Sequence, residues 1–188
     1  MERQAPPPGD KESGFTLIET MIAGLILVVG LLSLAYAYMA GMAVVMTGQQ
    51  DTTARQKARE AMENVFSARD NSTLAFSQLC NVGNGSSCIF INGFEPLYQA
   101  GPDGMFNTSD DGTGCASTPC YEQVWTPGPD GILGTADDVQ VSLLGFQRQI
   151  QITQITSILV QITVTIQYTT PKGATRSVTA TAVMSPYV

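Results

Sequence analysis

The chain has 188 residues, with Lys+Arg 9 against Asp+Glu 16 and a formal net charge of -7. That length fits one domain of ordinary size plus an extra element, and the acidic balance weighs against a nucleic-acid partner, because no local basic patch is visible. There is no histidine, which excludes Ser/His/Asp, Cys/His and HExxH sites and removes the usual general base, while carboxylate chemistry remains open.

Residues 1–14, MERQAPPPGDKESG, are polar and proline-rich. Residues 20–50 then carry no charged side chain, and Met21 to Met46 is almost entirely apolar or small. About 20 such residues cross a bilayer core, so the run predicts one N-terminal membrane anchor. The alternative, a buried helix of a soluble protein, asks a small core to hide 31 uncharged residues, which is more than it holds. A secretory signal places its apolar run before the cleavage site. Here the order is reversed, so any processing removes the polar leader and keeps the apolar segment.

The junction is Gly14-Phe15-Thr16-Leu17-Ile18-Glu19. It resembles the prepilin processing motif of the type IV pilin and type II secretion pseudopilin superfamily. The resemblance covers about residues 11–45. It implies cleavage after Gly14 by a membrane-embedded prepilin peptidase that also N-methylates Phe15, and it makes Glu19 the fifth mature residue. Independently, an ionisable side chain at the head of an apolar helix is costly in lipid and points to function. A Glu19 carboxylate can neutralise the terminal amine of Phe15 in a neighbouring subunit during assembly; the alternative is a glutamate that snorkels or is protonated. Ala23, Gly24, Gly30, Ser33, Ala37, Ala40 and Gly41 offer small surfaces for lateral helix packing. No proline falls between Gly14 and Pro96, unlike many major pilins, which predicts a less interrupted helix.

After Gln50 the pattern becomes amphipathic. Ala54, Ala58, Ala61, Met62, Val65 and Phe66 recur at helical spacing among charges, while Arg59 with Glu63 and Lys57 with Glu60 are spaced as weak surface pairs. One helix over about 15–68, roughly 80 Å long, is predicted to end at Asp70-Asn71-Ser72-Thr73. Its first half, 15–50, is the membrane or filament-core segment; 51–70 lies on a folded head.

Residues 71–138 read as loops and hold Cys80, Cys88, Cys115 and Cys120. Cys80 with Cys88 and Cys115 with Cys120 is the shortest of three possible pairings, and an extracytoplasmic address permits disulfides. A four-cysteine zinc site is the alternative, though the spacings do not match CxxC knuckles. The same region repeats itself at an offset of 27 residues: Gly101-Pro102-Asp103-Gly104 through Asp110-Asp111 returns as Gly128-Pro129-Asp130-Gly131 through Asp137-Asp138. Asp103, Asp110 and Asp111, and likewise Asp130, Asp137 and Asp138, gather carboxylates on a glycine-rich chain, as calcium requires. Neither copy is an EF-hand; they resemble acidic loops of pilin-like heads and the calcium loop of the major pseudopilin. The alternative is a pair of solvated acidic turns.

Residues 139–188 read as antiparallel sheet. Ile158, Val160, Ile162, Val164, Ile166 and Tyr168 alternate with polar residues. Thr169 to Gly173 makes a turn, Ser177 to Met184 repeats the alternation, and Phe146 to Ile152 and Val139 to Leu143 are further strands. The expected fold is α+β and type IV pilin-like, a long helix on three to four antiparallel strands. The resemblance implies a minor type IV pilin of the pilus-modification type, with no enzymatic activity. Its implied partners are the prepilin peptidase/N-methyltransferase, other pilin or pseudopilin subunits and the inner-membrane assembly platform. Its location would be the bacterial inner membrane, single-pass with the head extracytoplasmic, and then the fibre. A minor type II pseudopilin and a pilus-tip adhesion module are the other readings.

Overall fold

The computed structural model describes residues 14–115 and 118–186; apart from Gly14, the leader lies outside the described residues. The chain divides into two compact units, one ending at Val44 and one beginning at Val45. A single helix, α1 (Leu17–Asp70), contributes to both. It begins two residues later than the pattern suggested, because Thr16 caps it: the Thr16 hydroxyl accepts the amide of Glu19 at 3.4 Å, as an N-cap threonine does for the third helical residue. It ends at Asp70, where helix-forming residues give way to Asn71-Ser72 and Ser72 takes φ 59.

In the first unit the large side chains stand open, from Phe15 at 80% exposure through Met42. Among the described residues one helix is long and apolar enough to cross a membrane, with none of that stretch buried. The hydroxyls of Thr20 and Ser33 donate to the carbonyls of Leu17 and Val29, so these polar groups are satisfied by their own helix and add little cost in lipid.

The second unit is an α+β head. Ala54, Ala58, Ala61, Val65 and Ala68 form one buried face of α1. Alanine there lets the helix approach the sheet closely, and the same core cluster holds the sheet's inner residues. The main sheet comprises β1 (Glu95–Pro96), β4 (Phe146–Thr156), β5 (Leu159–Thr169) and β6 (Thr175–Met184), ordered β1-β4-β5-β6 and antiparallel throughout. Along β5 the predicted alternation holds: Val160, Ile162, Val164, Ile166 and Tyr168 are buried, each aliphatic contributing about 1.5–3 kcal/mol relative to exposure. Ile158 departs from it, falling in the Ser157-Ile158 turn and standing half exposed. Cross-strand register sets Ile166 beside Val178, Val164 beside Ala180 and Val160 beside Met184, which keeps one apolar face on both strands.

Val139–Ser142 is a strand, but not of this sheet. As β3 it pairs only with β2 (Gln123–Thr126) in a separate two-stranded ribbon. Its four residues are all exposed, so this strand does not face the core. The predicted loop region thus contributes β1, β2 and a short 3-10 turn, Phe76–Gln78. It also lends Leu74, Leu79, Phe90, Leu97 and Met105 to the core.

Candidate functional site

The two acidic repeats fold alike and share one set of amide-to-carboxylate bonds. In the first, the amide of Asp103 donates to Asp110 Oδ2, that of Met105 to Asp103 Oδ1, and those of Asn107 and Thr108 to Asp111 Oδ2. In the second, the amide of Asp130 donates to Asp137 Oδ2, that of Ile132 to Asp130 Oδ1, and those of Gly134 and Thr135 to Asp138 Oδ2. The hydroxyls of Thr108 and Thr135 donate to Asp110 Oδ1 and Asp137 Oδ1. Glycine opens each motif for a physical reason: a Cβ on Gly101 or Gly128 would overlap the Asp110 or Asp137 carboxylate and its backbone carbonyl. Gly104 and Gly131 then take φ 70 and φ 72, where side chains are strained.

Their surroundings differ. Met105, Asn107 and Thr108 of the first loop are buried, and the Asn64 amide of α1 donates to the Gly104 carbonyl at 2.9 Å. Ile132 and Leu133, at the equivalent place in the second loop, are about 60% exposed. One conformation in two environments means that local sequence, not tertiary packing, dictates it. Burial pushes the Asp111 carboxyl up to about 6, against the amides of Asn107 and Thr108 and the Arg148 charge. Asp103 is raised by burial, with its neighbour Asp110 adding to the effect. Burial also opposes ionisation of Asp110, yet the Thr108 hydroxyl and Asp103 amide hold its carboxyl below the ordinary value. In the open second loop the Thr135 hydroxyl holds Asp137 down. Among the described residues no group of three or more acidic, cysteine or histidine side chains is arranged to hold a metal ion; the carboxylates face their own amides.

Sequence reasoning missed the charged centre of the head. Lys57, placed above on the surface, is buried, and its Nζ lies 2.8 Å from both Glu60 and Glu122. Arg148 is 1% exposed, 2.6 Å from Glu122, with its guanidinium 4.2 Å over the Phe106 ring. Burial works against the Lys57 charge, but Glu122 and Glu60 outweigh it and raise the ammonium above its ordinary value. A signal was present: Arg148 shares the inward phase of β4 with Phe146, Ile150 and Ile152.

The four cysteines pair as Cys80–Cys88 and Cys115–Cys120. Beside the first bridge, the Asn81 side chain donates to the Ile150 carbonyl and accepts the Ile152 amide, both at 2.8 Å. It stands in for a strand along the part of β4 that β1 leaves unpaired. In the first unit, Gly14 and Phe15 precede the helix, and Glu19 sits in its first turn without an ion-pair partner among the described residues.

No known protein family, no curated protein and no solved structure matches this chain. The structure therefore defines a class only coarsely: a subunit with one long apolar N-terminal helix continuing into a small antiparallel α+β head.

Proposed function

We propose that the chain is a minor type IV pilin-like subunit, cleaved after Gly14, N-methylated on Phe15 and assembled into, or priming, a pilus fibre. The observation carrying this reading is Gly14-Phe15-Thr16-Leu17-Ile18-Glu19 at the head of an exposed apolar helix that runs unbroken into a disulfide-bonded head. In the membrane the helix holds the subunit. On extraction, Glu19 pairs with the Phe15 amine of a neighbour, so that two charges expensive in an apolar core become one pair. The partners are the prepilin peptidase, other pilins and the assembly platform. No chemistry is assigned to the chain itself.

Replacing Glu19 by Val tests this in cells that carry an assembly machinery. The variant stays in the membrane fraction and disappears from sheared surface fibres. Unchanged incorporation contradicts the reading. The acidic repeats favour a second one, a minor type II pseudopilin whose loops take calcium through Asp103, Asp110, Asp111 and Asp130, Asp137, Asp138. The ion would compete with the amides these carboxylates now accept, so a calcium-dependent rise in melting temperature supports it and a flat titration opposes it.

A further inference from the structure

The ribbon β2–β3 has two unlike faces. Its register pairs Trp125 with Gln140 and Gln123 with Ser142, and directly paired residues of antiparallel strands share a face. That face borders a shallow cavity of about 390 Å³, at the small end of ligand pockets. Trp125, the only tryptophan of the chain, forms one wall with 58% of its surface open. Gln123, Gln140 and Gln99 bring three carboxamides to the same hollow. The Gln123 and Gln140 side chains make no hydrogen bond within the described residues, while Gln99 donates to the Tyr121 carbonyl. Phe106 lines the cavity and is held under the Arg148 guanidinium.

Charge narrows the ligand. At the base of the cavity Lys57 is matched by Glu60 and Glu122, and Glu122 is matched again by Arg148. An anionic ligand, including a nucleotide, meets no unmatched cation, and a cationic one meets no buried carboxylate without partners. A purely apolar ligand would strand the carboxamides. What fits is a neutral ring with one C–H face for the indole and a rim that both donates and accepts hydrogen bonds. The geometry points to a sugar-binding site between β2–β3 and α1, for a neutral pyranose of a glycan chain or a free sugar. This assignment stands on the head alone and does not depend on leader processing, so its failure leaves the pilin reading untouched.

The sole tryptophan makes the test direct. Full-length protein in lipid nanodiscs, free of sugar-headed detergent, is titrated with maltotetraose, cellotetraose, chitotetraose and galactobiose while Trp125 emission is followed. At least one gives a saturable quench or blue shift at millimolar concentration. The double variant Gln123→Ala/Gln140→Ala, altered only at exposed positions, keeps its melting temperature and binds roughly tenfold more weakly. Trp125→Ala, read by calorimetry, loses binding. Competition by the parent monosaccharide at equal strength assigns a free sugar, and weaker competition assigns a glycan chain. The proposal is overturned if no oligosaccharide changes the emission, if the double variant binds as tightly as the parent, or if tetraglycine or adenosine responds equally.

Discussion

Arg148 occupies a position where the strand pattern calls for an aliphatic side chain, and it is tolerated because Glu122 and the Phe106 ring replace the water it loses. Removing Arg148 takes away the nearer partner of the buried Glu122 and leaves it only Lys57, which Glu60 shares. Arg148→Met should therefore destabilise the head by about 3–5 kcal/mol in urea unfolding, and a loss under about 1 kcal/mol would show that the network contributes little. Asp111 gives a pH-dependent counterpart. Its folded pKa of about 6 lies above the ordinary carboxylate value, so the folded state binds this proton more tightly. The stability it contributes is complete below the unfolded pKa near 4 and is lost as pH rises to about 6. Asp111→Asn, which keeps an acceptor for the Asn107 and Thr108 amides, should abolish that decline in chelator-treated protein. Melting curves across this window decide it, an unchanged slope counting against the buried carboxyl.

The repeated loops and the edge of β4 show how far elements can be read from residues. The helix, β5 and β6 were legible because periods of 3.6 and 2 survive wherever one face is buried. The repeat was legible because its Gly-Pro-Asp-Gly opening, its threonine and its closing Asp-Asp recur at one offset, and its shared fold follows from carboxylates that bond amides only a few residues away. What stayed hidden is non-local. Nothing adjacent to Asn81 shows that its amide will cap a strand 69 residues away, and Gln123–Thr126 is too short to reveal β2 before its partner is known. Two outcomes follow at this scale. Gly101→Ala should cost the head about 1–3 kcal/mol, since its loop is built into the core, whereas Gly128→Ala, whose Cβ meets the Asp137 carboxylate and carbonyl in the same way, should open its exposed loop locally and cost the head less. Equal losses in thermal unfolding would contradict the assignment of the two environments. Asn81→Leu should cost about 2–4 kcal/mol by stranding the Ile150 carbonyl and Ile152 amide, while Asn81→Asp, with one acceptor kept and the donor lost, should fall between; equal stability of all three would deny the edge-capping role.

For the whole molecule, the division at Val44/Val45 separates two kinds of stability. The first unit exposes apolar side chains that only lipid or other helices can cover; the second carries its own core. A fragment beginning at Val45 is thus expected to be soluble and to unfold cooperatively by circular dichroism, and aggregation of that fragment in water would show that the head needs the apolar segment. The coarse architecture was legible because charge disappears over residues 20–50 and returns at Asp51. The fate of the leader is a matter of processing chemistry at one peptide bond. The most direct measurement is the intact mass of the protein extracted from its own membranes, with fragmentation of its N-terminus. A chain beginning at Phe15 and bearing one methyl group on its amine is the expected result. A chain still beginning at Met1, in cells that process their other pilins, would contradict it.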